Sequence, residues 1–318
     1  AATFAPTFAI LLGLRFAQGL GAAATRVIAT SVVRDRFSGR EMAEVMSLTF
    51  MVFMAIPIVA PGIGQILLLT GPWHYIFLFM AGLAAAILVW AWLRLPETLD
   101  PANRRPLRLG VIVEGFRLVF TNRVAFFYGL SGTFLFAAMF GFIVSSQQIF
   151  VGIYGLGPWF PLAFAGMAGF MAISSFVNSR IVRRFGMRRL SHTAILIYVG
   201  CASILLILSV MGPVPFWLFF VLLLVIQVAF GNAASNMNSL SMEPLGAVAG
   251  TAASVFGFMQ TVGGALLGTY IGQHFNGTLT PNATGYVVMG TLVLLCVLIA
   301  EKGRLFGTSA SGRATAET

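Results

Sequence analysis

Long apolar runs, separated by short polar or Gly/Pro-rich connections, recur along the whole chain. A helix that crosses the hydrocarbon core of a bilayer needs about 20 predominantly apolar residues, and most of these runs approach that length. The pattern therefore predicts an all-α membrane protein with about nine transmembrane helices. The predicted spans are 7–33, 45–69, 75–93, 124–150, 160–181, 191–211, 216–240, 249–273 and 286–300.

Basic residues are distributed one-sidedly between the connections. Outside the first span, every Lys and Arg lies in 34–40, 94–123, 180–189 or the C-terminal tail, and the alternate connections hold none. Cytoplasmic loops carry the excess of Lys and Arg, so this pattern predicts a cytoplasmic C-terminus. The predicted parts are a three-span part, a cytoplasmic linker, a six-span part and a tail, covering 1–95, 96–122, 123–301 and 302–318.

Composition agrees with this topology and excludes several other classes. Hydrophobic residues make up 58% of the chain and charged residues 9%, whereas soluble domains have about 25% charged residues. The net charge of +10 does not indicate nucleic-acid binding, because the cations form short clusters between apolar runs. Cys201 and Cys296 lie inside apolar runs without a Cys-x-x-Cys motif or a His cluster, so neither a disulfide framework nor a metal site is expected.

The first span contains two arginines, Arg15 and Arg26. Their separation of eleven residues is close to three full helical turns, so both point in the same direction, with Gln18 near it. Because two guanidinium groups facing acyl chains are energetically costly, this side of the helix is expected to face protein or a water-filled path.

Several motifs carry a resemblance to the major facilitator superfamily, and more narrowly to the drug/proton antiporters of its bicyclomycin/chloramphenicol-resistance (Bcr/CflA) group. The segment RFAQGLGAA at 15–23 resembles the fourth-helix motif R-x-x-Q-G-x-G of that group. The other matching segments follow in family order: APGIG at 60–64, WHYIF at 73–77, LPETL at 95–99, RIVRRFGMRR at 180–189 and PLGAVAGTA at 244–252.

The resemblance implies a twelve-helix fold of which this chain holds helices 4 to 12. It also implies export of small apolar or cationic drugs against inward proton flow, by alternating access around a site near mid-membrane between the two halves. No cofactor is expected, since the proton gradient supplies the energy, and the transporter is expected to act as a monomer in the bacterial inner membrane. The first three helices, with a G-x-x-x-D-x-x-G-R loop, are expected to precede this chain.

The proton-coupling candidates lie on the first span. The resemblance assigns Arg15 to the central cavity, where a fixed cation lowers the pKa of a nearby carboxyl and can trigger proton release. The alternative is structural hydrogen bonding, and Gln18 is equally open to interhelical bonding. Arg26 either snorkels toward the cytoplasm or pairs with an acid elsewhere. No carboxylate lies at mid-span in this sequence, so the proton carrier is expected on the preceding first helix.

Two further groups are candidates for gating. Gly and Pro bend and thin the second span, which suits a segment that seals against proton leak, although such residues are also common in membrane helices. Loop charges could lock an inner gate, or could serve only to orient the chain. The gating-motif candidates are Pro57, Pro61, Gly62 and Gly64; the inner-gate candidates are Arg34, Asp35, Arg180, Arg184, Gly186 and Arg188.

Aromatic, Met and amide residues of the six-span part are candidates for the substrate cavity. Phe and Met adapt their shape to varied apolar ligands, but in membrane helices they serve more often in packing or lipid contact. The amides are as well suited to binding helices together. The candidates are Phe136, Met139, Phe140, Asn232, Asn236, Phe256 and Gln260.

Three rival functions leave different sequence signatures. A facilitator-type uptake porter for a small ionic metabolite calls for a complementary fixed charge in the six-span part, and none is visible. A membrane enzyme calls for a nucleophile, base or metal cluster within the spans, and a channel for a filter-like repeat or charged ring. Neither pattern is present, so drug export is the favoured prediction.

Overall fold

A computed structural model describes residues 4–36, 45, 56, 60, 62–95 and 109–306. The chain divides into two compact units, Ala1–Leu107 and Arg108–Thr318. The first unit contains helix α1 (Phe8–Arg36), helix α2, described over 62–70, and helix α3 (His74–Arg94). The described residues of both units contain no β-strand.

The second unit is built from eight further helices. In chain order these are α4 (Leu109–Thr121), α5 (Arg123–Gln147), α6 (Phe160–Phe185), α7 (Met187–Met211), α8 (Phe216–Met242), α9 (Ala249–Phe258), α10 (Gly264–Gln273) and α11 (Thr280–Ala300). A π-helical turn, Gln148–Ile153, extends α5, and another, Met259–Gly263, joins α9 to α10 into one continuous span.

Seven helical segments in the described part of the chain are long and apolar enough to cross a membrane. They coincide with the third to ninth predicted spans. The first predicted span is helical as α1, whose residues Phe8–Ala22 form a shorter apolar stretch, and much of the second lies outside the described residues. The seven segments are His74–Arg94, Arg123–Ile153, Gly157–Val182, Met187–Met211, Phe216–Leu245, Gly250–Gln273 and Thr280–Ala300.

Helix α5 lies at the centre of the second unit and packs against α8, α10 and α11. Its closest neighbour is α10, which presents Gly264, Gly268 and Gly272 at intervals of four residues. A Cβ atom at Gly268 would lie 2.7 Å from the carbonyl oxygen of Ala137 and 2.8 Å from the amide nitrogen of Gly141. Only glycine allows the two backbones to approach this closely, as is common between membrane helices.

Helix α4 lies inside the segment predicted as a polar linker. It packs on α9 and on the start of α5, where its Val119 is fully buried with Ala125, Val255 and Phe256. The chain then passes directly into α5, because the Asn122 side chain accepts a hydrogen bond from the Ala125 amide at 3.0 Å and caps the new helix.

The far end of α5 is closed by an aromatic cluster. The Tyr154 ring lies 5.1 Å from that of Phe219, which is 5.7 Å from Phe150. The Tyr154 hydroxyl donates to the carbonyl oxygen of Val214 at 3.0 Å, and burial raises the pKa of Tyr154 to about 12. The group therefore stays a neutral donor that ties the turn before α6 to the turn before α8.

Candidate functional site

Arg15 and Gln18 contact each other on one side of α1. The Arg15 Nη1 donates to the Gln18 Oε1 at 2.9 Å, as the spacing of three residues permits on a helix. The guanidinium carbon lies 4.5 Å from the centroid of the Phe77 ring of α3, a cation–π geometry. Arg15 is exposed, and among the residues that the structure describes no carboxylate lies within ion-pair distance of it.

Several candidates of the first unit are placed only in part. The backbone of Arg26, Arg34 and Asp35 belongs to α1, and their side chains fall outside the described structure, as do Pro57 and Pro61 altogether. The two glycines of the gating motif, Gly62 and Gly64, lie at the start of the described stretch of α2, where a Cβ atom on either would meet no described atom within 4 Å.

Arg188 is the one inner-gate candidate in the described structure that forms ion pairs. Its Nε lies 2.8 Å from the Glu301 Oε1 at the end of α11, and its Nη2 lies 3.2 Å from the Glu243 Oε2 just after α8. The side chains of Arg188 and Glu301 are only 18% and 15% exposed. Partial burial strengthens such pairs, but it makes the loss of one partner costly.

Two further groups complete this network, which we name the Arg188 cluster (Tyr128, Arg188, His192, Glu243 and Glu301). The Tyr128 hydroxyl donates to the Glu301 Oε1 at 2.8 Å and lies 3.0 Å from the Nε2 of fully buried His192. The cluster thus joins the start of α5, the start of α7 and the ends of α8 and α11 at one end of the second unit.

Two other inner-gate candidates, Arg180 and Arg184 near the end of α6, are not part of that cluster. Arg180 and Arg184 are exposed, and their guanidinium groups lie over rings of their own helix, 5.2 Å from Phe176 and 5.6 Å from Phe185. Gly186 has a φ of +79°, which lets the chain turn between α6 and α7 and brings Arg188 to the cluster.

Sequence reasoning missed four members of the Arg188 cluster: Tyr128, His192, Glu243 and Glu301. A weak signal was available, because the acids each follow an apolar run that ends on the same predicted side as Arg188. His192 also follows Arg188 by four residues, which places both on one side of a helix.

Helices α6 and α8 are joined by two polar side-chain pairs, which we name the amide ladder (Ser174, Asn178, Asn232 and Asn236). The Ser174 hydroxyl donates to the Asn232 Oδ1 at 3.1 Å, and the Asn236 Nδ2 donates to the Asn178 Oδ1 at 3.0 Å. Asn236 is 3% exposed. The predicted amides therefore bond helix to helix, in agreement with the structural alternative.

The aromatic cavity candidates separate into two environments. Phe136, Met139 and Phe140 are half-buried on α5, and the Phe136 ring lies 6.0 Å from Phe230 of α8. Phe256 is only 2% exposed, in the core between α4, α5 and α9, which favours packing as its role.

Gln260 lies half-buried in the π-helical turn of the span formed by α9 and α10, and its side chain packs against Gly132 of α5. A π-helical turn inside an α-helix is often found at a functional site. Gln260 thus remains a candidate for the substrate cavity, in an environment unlike that of Phe256.

Seven long apolar helices in the described part of the chain, with few charged residues, define a polytopic membrane protein. Comparison with known proteins identifies the family to which this membrane protein belongs. The Major Facilitator Superfamily profile matches residues 1–269. The chain therefore belongs to the major facilitator superfamily, a family of transporters rather than enzymes, and the resemblance noted in the sequence is confirmed.

Similar relatives include three bacterial proteins. The chain is 32% identical over 293 residues to the bicyclomycin resistance protein homolog of Haemophilus influenzae, covering 90% of this chain and 71% of that protein. It is 27% identical over 303 residues to the uncharacterized MFS-type transporter YdgK of Bacillus subtilis, covering 93% and 72%. It is 28% identical over 266 residues to the multidrug resistance protein MdtL of Escherichia coli, covering 83% and 66%.

Proposed function

We propose that the protein exports small apolar or cationic drugs across the bacterial inner membrane by alternating access, in exchange for protons. The names of two similar relatives, a bicyclomycin resistance protein homolog and a multidrug resistance protein, support drug export. The structural observation that carries the proposal is the exposed Arg15–Gln18 pair on the apolar helix α1.

Arg15 suits proton coupling because its charge is held in place without being neutralised within the described structure. Gln18 and the Phe77 ring orient the guanidinium, and neither carries a charge. In lipid such a cation is costly, so it belongs in a water-accessible cavity. A carboxylate that approaches it there is favoured in its ionised form and releases its proton, whereas one that moves away can take up a proton again.

The substrate surface that we propose is formed by half-buried side chains of α5 and the following spans. Phe136, Met139 and Phe140 offer an adaptable apolar surface, and Gln260 offers an amide for orientation. Within the described part of the second unit, the ion-paired arginine Arg188 is already matched by two carboxylates. This neutralised charge disfavours the alternative of uptake of an ionic metabolite.

The topology that we propose has nine spans in this chain, with α1 as helix 4 of the family, α5 as helix 7 and α11 as helix 12. The C-terminus is then cytoplasmic, in accord with the one-sided distribution of basic residues. The Arg188 cluster would lie at the cytoplasmic ends of the spans, where it could brace the inner gate, and the transporter would act as a monomer.

Measurement of drug transport under proton gradients of opposite sign tests the proposal. The protein, as encoded by its gene, is reconstituted in liposomes with bicyclomycin as the probe, and pH gradients of opposite sign are imposed. We expect bicyclomycin movement against the proton flow that reverses when the gradient is reversed. Movement of bicyclomycin in the same direction as the protons would indicate uptake by symport. Movement that does not depend on the gradient would refute proton coupling.

A further inference from the structure

The chain does not leave the second unit directly after α11 but folds back in a hook, defined as residues 301–306. Leu305 packs against the main core of the unit. The backbone N–H of Phe306 donates to the Nδ1 of His192 at 3.0 Å, and the Phe306 ring meets the His192 ring edge-on at 5.7 Å. The hook thus contacts the histidine of the Arg188 cluster.

The hook has an unfavourable backbone conformation that its contacts must offset. Lys302 and Phe306 have φ values of 55° and 64°, in the left-handed region that residues other than glycine rarely adopt. The N–H of Gly303 donates to the carbonyl of Leu298 at 2.7 Å, which closes the end of α11. This closing bond is local to α11, whereas the bond from Phe306 to His192 reaches the neighbouring helix α7.

Hydrogen-bond accounting assigns the protonation state of His192. Glu301 is ion-paired with Arg188 and acts only as an acceptor, so the Tyr128 hydroxyl must donate its single proton to it. The Tyr128 oxygen then accepts from His192, which therefore carries its proton on Nε2. Since Nδ1 accepts from the Phe306 N–H, His192 is neutral while the hook is docked.

A second proton on His192 is incompatible with this arrangement. It would have to occupy Nδ1, where it would face the N–H of Phe306, and two donors cannot bond to each other. Burial disfavours an imidazolium at this place, Glu301 favours one and Arg188 opposes it. Tyr128 lies between the histidine and the carboxylate, and Glu243 lies beyond Arg188. The cations of the hook itself, Lys302 and Arg304, are exposed to solvent.

We propose that residues 301–306 form a pH-dependent latch, held closed by neutral His192 and released when His192 takes up a proton at Nδ1. Glu301 is itself the first residue of the hook, so release disturbs its bonds to Tyr128 and Arg188 and thereby loosens the Arg188 cluster. The latch goes beyond the proposed export function and rests on it only for the assignment of this end to the cytoplasmic side.

The direction of the pH dependence follows from the protonation state. The docked form requires the neutral histidine, so docking is complete at high pH and is lost as the pH falls through the titration of His192. Because one proton is taken up, the docking equilibrium changes by up to about tenfold for each pH unit below that titration.

Distance measurement between two spin labels tests the latch directly. Labels are attached at Arg304→Cys on the hook and Arg189→Cys on α7, both exposed positions, after replacement of Cys201 and Cys296 by Ala. We expect a narrow, short distance at about pH 8 that gives way to a broad, longer distribution as the pH is lowered to about 4, because the burial of His192 disfavours the imidazolium and its protonation needs more acid than that of an exposed histidine. An unchanged distribution over this range would overturn the latch.

Three variants on the labelled protein separate His192 from other titrating groups. In His192→Asn, the amide oxygen can accept from the Phe306 N–H and does not titrate, so we expect a docked hook at both pH values. Phe306→Pro removes the N–H and is expected to be undocked at both. His274→Asn, the matched control, changes an exposed histidine and should keep the transition. A transition that persists in His192→Asn, or that disappears in His274→Asn, would refute the assignment to His192.

Discussion

Arg15 of the first unit and Arg188 of the second are both held by specific contacts, but only one of them is neutralised. Arg188 lies between two carboxylates and is largely buried. Arg15 is exposed, and the described structure gives it one amide and one aromatic ring as partners. Both are arginines in predicted or observed helices, so residue type alone does not distinguish them.

The difference indicates how the two charges can be used. A cation that is already matched by carboxylates gains little from a further acid, so Arg188 serves to hold helix ends together. A cation oriented by neutral groups retains its full attraction for an acid that moves. We therefore assign proton coupling to Arg15 and bracing of the cluster to Arg188. Three substitutions test this division, and a fourth tests the amide ladder.

The largest effect is expected for Arg15→Ala. Loss of the oriented cation should abolish proton-driven bicyclomycin transport in liposomes, with little change in the thermal stability of the detergent-solubilised protein, because Arg15 is exposed. Arg94→Ala, at an exposed arginine at the end of α3, is the matched control and should transport normally. Normal transport by Arg15→Ala would refute the proposed role of this residue in proton coupling.

Arg188→Ala is expected to act on stability instead. It leaves Glu301 and Glu243 without their cation, and breaking a buried pair in this way costs about 3 kcal/mol or more. The measurement is unfolding of the purified protein, followed by helical circular dichroism. Arg184→Ala, at an exposed arginine near the end of α6, should change stability by less than about 0.5 kcal/mol. Equal stability of both variants would show that the ion pairs contribute nothing.

Asn236→Ala tests whether the amide ladder is structural. The substitution leaves the half-buried Asn178 side chain without its partner, at a cost of about 1 kcal/mol in the free energy of unfolding. Asn238→Ala, at an exposed amide on the same helix, should be neutral. If Asn236→Ala instead raises the KM for bicyclomycin without a change in stability, the amide belongs to the substrate surface.

Phe77→Leu should have the smallest effect. It removes the ring beneath the Arg15 guanidinium, a contact with a strength of about 0.5–1 kcal/mol at an exposed site. We expect a transport rate reduced by a few-fold and unchanged folding, measured by the same two assays. Phe79→Leu, at an exposed ring on the same helix, provides the control. A larger loss than that of Arg15→Ala would assign the ring a separate role.

Much of the helical part of the fold could be predicted from the sequence, and the helix that the prediction missed has a physical explanation. The predicted spans from 75–93 onward all coincide with helices, because an apolar run of that length leaves its backbone no other partner in lipid. Helix α4 was missed because its apolar run has only 13 residues, too few to cross a membrane, and follows directly on the polar residues of the predicted linker. Its buried side depends on contacts with Ala252 and Val255, which are distant in sequence.

The sequence by itself determined the membrane class, the helical spans, the family motifs and the placement of Gln18 on the same side of the helix as Arg15. These depend on composition and on spacings of a few residues, which a helix converts directly into geometry. Only the tertiary structure decided that Arg188 meets Glu301, a residue 113 positions away, that Phe256 is packed in the core, and that His192 receives the hook. Such partners are chosen by how helices pack, and many pairings of side chains are compatible with the same apolar pattern.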